Sequence, residues 1–230
     1  MQKFMLQLPA LVGVFVTLNP EDGDYSLTTL GYIGLIILMI GLIAAAAYLL
    51  RKDGNATVKT KQLVYCAAAM ALAVVTSMIK LYEFPFGGSV TLCSMLFIVL
   101  IGYWYGPKTG IMTGAAYGIL QLIMGPYILF PLQVLVDYPL AFAGLGLAGF
   151  FWKSKNGLLK GYIAGVLGRY FFAVLSGWIF FGEYAWEGWA PLPYSLAYNG
   201  AYLLAEAVIT IIIISLPPVK KALLQVKQTL

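Results

Sequence analysis

The chain has 230 residues, of which 61% are hydrophobic and only 10% are charged. Soluble domains carry about 25% charged residues, so this composition excludes a water-soluble globular fold and favours the lipid bilayer. The chain contains no histidine, which excludes Ser-His-Asp and Cys-His catalysis and the commonest metal ligand. It also lacks a GxxxxGK[ST] phosphate loop, so any ATP hydrolysis linked to it requires another protein.

The N-terminal extension, residues 1–50, contains one clear membrane span and one doubtful segment. Residues 29–50 are long enough to cross the bilayer, which takes about 20 apolar residues. Residues 4–18 are apolar but short and contain Pro9. We expect a short span, an interfacial helix or a signal-peptide hydrophobic region there. Retention is favoured because a small-residue cleavage site is lacking. A basic linker, residues 51–61, ends this extension.

Six further spans are predicted between residues 62 and 216, and a basic tail, residues 217–230, follows them. Polar or Gly/Pro-containing turns separate the apolar stretches, which is typical of a polytopic, all-α membrane protein. The shortest stretch is expected to be tilted or partly buried against its neighbours. The predicted spans are 62–82, 90–105, 109–125, 131–152, 158–181 and 195–216.

Charged residues outside the spans alternate between two sides of the membrane. Basic residues gather in the linker 51–61, at Lys108, in the turn 153–160 and in the tail. Because cytoplasmic loops carry excess Lys and Arg, this side is predicted to be the cytoplasm, with both ends of the core inside. The net charge of +5 is therefore explained by the basic residues on the predicted cytoplasmic side of the membrane and does not indicate nucleic-acid binding. The predicted outer side holds Glu21, Asp22, Asp24, Glu83, Glu183 and Glu187.

Three charged residues fall well inside predicted spans, away from the span ends: Asp137, Arg169 and Glu206. A charge at the bilayer centre costs at least about 2.5–3.5 kcal/mol on insertion scales, so such residues usually face a cavity or pair with one another. For Arg169 and Glu206, a structural ion pair and a functional role are both open. Asp137 lies about two turns into its span from the outer side, where an external ligand can reach it.

Aromatic residues gather on the same outer side. For Trp186 and Trp189, an interfacial belt and contact with a ligand are both open, but a belt leaves the polar Ser195 and Asn199 in the next span unexplained. One carboxylate, several aromatic faces and an amide suit a small aromatic or cationic molecule, which they would hold by stacking, cation–π attraction and hydrogen bonds. The aromatic residues are Tyr127, Tyr138, Tyr184, Trp186, Trp189, Tyr194 and Tyr198.

A glycine-rich turn, FPFGGSVTL (residues 84–92), lies outside between the first two core spans. Two consecutive glycines permit a tight or mobile backbone. The turn is either a plain connection or a gate over the pocket, since a gate needs a flexible backbone. The candidate gating residues are Phe84, Gly87, Gly88 and Ser89.

The first core span contains a run of small residues, YCAAAMALAVV. Ala67 and Ala71 are four residues apart and therefore share one helix face. Small residues at this spacing let another helix approach closely. The partner is either a helix of this chain or another subunit.

Three stretches carry a family resemblance: PFGGSVTLCSMLFIVL, GPYILFPLQVLVDYPLAFAGLGLAGFF and RYFFAVLSGWIFFGEYAWEGWAPLPYSLAYNG. Together they resemble the thiamine-specific substrate-binding subunits (S components) of energy-coupling factor transporters, over residues 62–216. The resemblance implies a six-helix bundle in the plasma membrane that captures a vitamin from outside, with no cofactor. It implies as partners a coupling transmembrane subunit and two cytoplasmic ATPases. It also implies docking through Ala67 and Ala71 and a lid at residues 84–89.

The same resemblance implies a thiamine site. Asp137 and Tyr138 match an acidic residue and a tyrosine of the family's fourth helix, where the acid faces the cationic part of thiamine. Tyr127 matches a tyrosine in the preceding loop. Tyr194 and Asn199 match a tyrosine and an asparagine at the start of the last helix.

The chain departs from this pattern at two further site positions. Phe181 stands where some members carry tryptophan, and Ala173 stands where others carry a histidine that holds the pyrimidine. The loss of that contact makes a thiamine precursor or another vitamin the alternative ligand. A stand-alone secondary transporter is disfavoured because no duplicated half is visible. An intramembrane enzyme using Asp137 or Glu206 as acid or base would lack histidine and a metal motif.

Overall fold

The computed structural model describes residues 14, 16–18, 25–34, 37, 60–129 and 131–230. In the N-terminal extension, β1 (Val16–Leu18) pairs antiparallel with β2 (Tyr25–Leu27). The prediction of a helix or apolar span over 4–18 is therefore wrong at its last three residues, where β-branched Val16 and Thr17 favour a strand. Helix is observed at residue 14, at residues 29–34 and at residue 37. The remainder of the predicted segments 4–18 and 29–50 lies outside the described residues.

Six core helices follow, which confirms the all-α membrane fold. Four of them are long and apolar enough to cross a membrane: α1, α4, α5 and α6. Helix α2 is apolar but shorter. The helices are α1 (Thr60–Ser77), α2 (Ser94–Tyr105), α3 (Pro107–Met124), α4 (residues 131–151), α5 (Gly157–Phe180) and α6 (Pro191–Ser215).

The end of the first predicted span and the start of the second are wrong because a hairpin stands between them. Helix α1 ends at Ser77, and β3 (Lys80–Glu83) pairs antiparallel with β4 (Ser89–Thr91) before α2 begins. Hairpin hydrogen bonds satisfy the backbone here in place of helical ones. The last core helix begins at Pro191 rather than at 195, since proline is favoured in the first turn of a helix.

Helix α4 is regular only in part. It begins as an α-helix (Pro131–Leu135), widens into a π-helical turn (Val136–Leu140) and tightens again towards a 3₁₀ segment (Leu145–Phe151). Pro139 lies inside the π turn, where its missing N–H interrupts the ordinary helical ladder. Such turns are frequent at functional sites, and this one carries Asp137.

Glycines bring α3 against α4 at backbone contact. A Cβ placed on Gly114 would stand 2.3 Å from the carbonyl oxygen of Phe142, and one on Gly118 would stand 2.2 Å from that of Tyr138. These distances are shorter than any real Cβ contact, so only glycine fits at either position. We call this contact the glycine seam. It continues towards the predicted cytoplasmic end through Gly102, Gly110, Gly146 and Gly149.

The basic tail, for which no secondary structure was predicted, forms a further helix after the core, α7 (Pro217–Thr229). Its Lys227 ammonium lies 3.5 Å from the centre of the Tyr103 ring and donates to the carbonyl of Trp152. Burial lowers the pKa of Lys227. Lys61 at the start of α1 donates to the carbonyl of Thr229. The tail is therefore fixed beneath the bundle.

Candidate functional site

A cavity of about 420 Å³ lies among α3, α4, α5 and α6 beneath the β3–β4 hairpin. Its volume falls in the range typical of small-molecule sites. The structure brings all seven predicted substrate-binding residues to its wall, although their role in binding stays a prediction. They are Tyr127, Asp137, Tyr138, Ala173, Phe181, Tyr194 and Asn199.

The loop before α4 is held to the cavity wall by Tyr138. The Tyr138 hydroxyl accepts a hydrogen bond from the Tyr127 amide at 2.8 Å and donates to the Gly125 carbonyl at 3.2 Å. The Tyr127 ring stacks on the ring of Phe181, with centroids 5.9 Å apart and planes 20° apart. The loop therefore presents a fixed aromatic face to the cavity.

A second aromatic pair stands on α6. Tyr194 and Tyr198 have ring centroids 5.6 Å apart, with planes inclined by 31°. Both side chains line the cavity. The cavity thus has two aromatic pairs, each able to stack on a planar ring or to attract a cation.

Asn199 is buried between α5 and α6. Its amide nitrogen donates to the carbonyls of Ser195 (2.9 Å) and Ala173 (3.2 Å). Its amide oxygen accepts from the Tyr202 hydroxyl at 2.7 Å. Because this oxygen has a second lone pair, Asn199 can accept one further hydrogen bond from a ligand.

The glycine-rich turn covers the cavity. Gly87, Gly88 and Ser89 line it, and so does Phe86, which the sequence analysis did not single out. Phe84 is instead packed beside the cavity, with its ring centroid 6.1 Å from that of Tyr198. We call residues 84–89 the lid, and its gating role stays a prediction.

The two other intramembrane charges do not form the ion pair considered above. Among the described residues the salt-bridge pair is Lys80–Glu83, at the outer hairpin. The Arg169 guanidinium carbon lies 4.2 Å from the centre of the Phe142 ring. Both Arg169 and Glu206 line the cavity.

Glu206 is only 2% exposed, and its carboxylate is held by hydrogen bonds from uncharged donors rather than by an ion pair with Arg169. Its carboxylate accepts from the Thr91 hydroxyl at 2.6 Å, the Ser94 hydroxyl at 3.2 Å and the Met95 amide at 3.1 Å. The Thr91 amide donates at 3.2 Å. Glu206 therefore joins the foot of the hairpin and the start of α2 to α6, where a carboxylate is favourable at a helix N-terminus.

Several wall residues were missed by the sequence analysis, chiefly Gln133, which is buried and bonded to Asp137. A polar amide in an apolar span, one turn before an acid, is a signal that could have found it. Tyr198 was noted only as part of the aromatic cluster. The other missed wall residues include Ser77, Thr91, Tyr117, Gln121 and Tyr202.

Trp186 and Trp189 do not line the cavity, and they are 49% and 47% exposed. This position agrees with an interfacial aromatic belt. The Trp186 ring nevertheless lies 5.2 Å from the Tyr194 ring, centre to centre. Trp186 therefore contacts a residue of the cavity wall, Tyr194, without lining the cavity itself.

Ala67 and Ala71 are exposed on the face of α1 that points away from the helix bundle. In the most apolar 18-residue stretch of α1, only 17% of the residues are buried, whereas 44% are buried in the corresponding stretch of α4. The face they share is thus open to a partner, and the identity of that partner stays a prediction.

Among the residues that the structure describes, no group of three or more Cys, Asp or Glu could hold a metal ion.

Comparison with known proteins gives a consistent result. The family model described as "Thiamine transporter protein (Thia_YuaJ)" matches residues 63–226. Thiamine transporter ThiT of Bacillus subtilis (strain 168) is 35% identical over 164 residues, which cover 65% of this chain and 84% of that protein. ThiT of Lacticaseibacillus paracasei is 31% identical over 170 residues, 66% of this chain and 81% of that one.

A solved structure of ThiT from Listeria monocytogenes agrees with this assignment. It is 28% identical, with a TM-score of 0.57, and the match covers 68% of this chain and 94% of that one. The part in common corresponds in length to the six core helices. With the fold, the family match and two relatives above 30% identity in agreement, the chain belongs to the thiamine transporter protein family.

Proposed function

We propose that this chain captures thiamine outside the cell as the substrate-binding subunit of an ATP-driven energy-coupling factor transporter. Its relatives in two bacteria are named thiamine transporters. The observation that carries the proposal is the placement of the Asp137 carboxylate in a cavity of about 420 Å³ with two aromatic pairs in its wall.

This arrangement matches the chemistry of thiamine. The vitamin joins a permanently cationic thiazolium ring to an aminopyrimidine ring. Asp137 supplies the charge partner of the cation, and the aromatic pairs supply faces on which both rings stack. The free lone pair of Asn199 accepts from an amino group.

The other elements of the proposal concern partners and orientation. The chain works with a coupling transmembrane subunit that docks at Ala67 and Ala71, and with two cytoplasmic ATPases. The cavity opens outward and the basic ends lie in the cytoplasm. The chain itself performs no chemical step on the vitamin.

The test is a titration of the detergent-purified protein with thiamine, read by tryptophan fluorescence and repeated by calorimetry. Trp186 touches a cavity residue, so bound thiamine is expected to quench it saturably. Titration with the pyrimidine and thiazole halves then separates thiamine from a precursor. Binding of one half but not of thiamine would identify a precursor as the ligand, and binding of the thiazole half alone would point to the missing pyrimidine contact at Ala173.

Asp137→Asn is expected to weaken thiamine binding by more than about tenfold, because a hydrogen bond to a charged group contributes about 1.5–3 kcal/mol. The matched control is Glu187→Gln, which removes an acid on the same predicted side, at an exposed position outside the cavity. Glu187→Gln is expected to leave affinity unchanged. Unchanged affinity in Asp137→Asn would remove Asp137 from the site.

A further inference from the structure

Gln133 connects the acidic residue of the cavity to the loop that precedes α4. It is 1% exposed and lies one turn before Asp137 on the same helix. Its amide nitrogen donates to the Asp137 carboxylate at 2.7 Å and to the Tyr127 carbonyl at 3.2 Å. Its amide oxygen accepts from the Leu129 amide at 3.1 Å. One side chain thus fixes both the carboxylate and the loop.

The bond to Asp137 orients the carboxylate without cancelling its charge. The distance of 2.7 Å lies at the short end of the range for N–H···O hydrogen bonds. The donor is a neutral amide, whereas an arginine or lysine there would pair with the acid and reduce its attraction for a cation. Because the amide is itself held by the loop, it cannot follow a rotation of the carboxylate.

We propose that Gln133 is a positioning residue that sets the preference of the cavity for a cationic ring over an uncharged one of the same shape. The proposal rests on the function proposed above. It assigns this preference to a residue that does not itself contact the charged ring of the ligand. Gln133 acts through Asp137, whose carboxylate it holds towards the cavity.

Tyr138 allows the two effects of Gln133 to be separated. Its hydroxyl holds the same loop, through the Tyr127 amide and the Gly125 carbonyl. In the structure this hydroxyl bonds to the loop and not to the Asp137 carboxylate. Tyr138→Phe therefore loosens the loop alone, while Gln133→Met loosens the loop and also removes the amide bond to the Asp137 carboxylate.

The experiment compares two ligands by calorimetry on the purified full chain: thiamine, and an uncharged analogue in which a thiophene ring replaces the thiazolium ring. Gln133→Met is expected to weaken thiamine about tenfold and the uncharged analogue less than about threefold. Tyr138→Phe is expected to weaken both ligands by the same factor. Gln62→Leu, which removes an amide bonded to Thr109 between α1 and α3, is the control outside the cavity and is expected to change neither.

Equal weakening of both ligands by Gln133→Met would overturn the proposal, because it would give Gln133 a purely structural role. Gln133→Asn, which keeps an amide but shortens its reach, repeats the comparison in case the methionine variant does not fold. In an Asp137→Asn background the Gln133 effect on thiamine should fall to that on the analogue, and a fully additive effect would also overturn it. Failure of the unmodified chain to bind thiamine would instead refute the proposed function.

Discussion

Tyr198 holds the lid with one hydroxyl group. That hydroxyl accepts from the Gly88 amide at 3.0 Å and donates to the Pro85 carbonyl. A Cβ on Gly88 would stand 2.7 Å from the same oxygen, so glycine is what lets the lid come this close. Tyr198 also lines the cavity next to Asn199. At the scale of single residues, the lid and the candidate site therefore share one turn of α6.

Tyr198→Phe is expected to speed thiamine dissociation about fivefold, because a lost hydrogen bond typically contributes about 1 kcal/mol. Association should change less, since the open lid is already the state that admits the ligand. Stopped-flow fluorescence separates the two rates. Tyr170→Phe is the control, because it also removes a tyrosine hydroxyl from a backbone carbonyl, that of Leu196, but outside the cavity. An unchanged dissociation rate in Tyr198→Phe would mean that this hydroxyl does not hold the lid.

The wall residues found from the sequence are those that break a local pattern. Asp137 is a charge in an apolar span, and Asn199 is an amide beside several tyrosines. Gln133 is likewise a polar residue in an apolar span. It could have been identified from the sequence, because it lies four residues before Asp137, the residue that it contacts. The donors of Glu206 lie 111 to 115 residues away. No periodicity within one helix could identify those partners, because they depend on how the helices pack.

At the scale of elements, α1 differs from the other core helices in how little of it is buried. Its inner face packs Ala69 and Ala73, while Ala67 and Ala71 are exposed. A helix with small residues on an outward face can take a second helix at close distance. The proposed docking function therefore resides on α1, at a distance from the residues that line the cavity.

Ala67→Trp and Ala71→Trp are each expected to leave thiamine affinity of the purified chain unchanged and to abolish uptake by the assembled transporter. The bulky ring would keep the partner helix from close approach. Binding is measured by calorimetry, and uptake with labelled thiamine in cells that express all subunits. Ala201→Trp on the exposed face of α6 is the matched control. Persistent uptake in both α1 variants would show that docking occurs elsewhere.

The six core helices were predictable from hydropathy, but their ends were less so. Hydropathy averages over a window and did not separate α1 from β3, because Leu81 and Tyr82 are apolar although they are exposed in a strand. The π turn of α4 was also unforeseen. Pro139 signals an irregularity there, yet whether the helix breaks, kinks or widens depends on its contacts with α3.

At the scale of the whole molecule, the predicted orientation can be tested by labelling. Both native cysteines, Cys66 and Cys93, are buried and free, so their background reaction with a charged maleimide should be low. Glu187→Cys is expected to react in intact cells, because Glu187 lies on the predicted outer side. Lys155→Cys is expected to react only after permeabilisation, since basic turns face the cytoplasm. The reverse pattern would invert the orientation.

The glycine seam has a consequence for how cargo leaves the protein. Backbone touches backbone along it, so sliding one helix against the other would bring main-chain atoms into collision. A passage for the vitamin between α3 and α4 would have to break that contact. The vitamin is therefore not expected to leave between these two helices. The resemblance to energy-coupling factor transporters implies another route of delivery to the cytoplasm, in which the whole bundle turns as one body within the lipid.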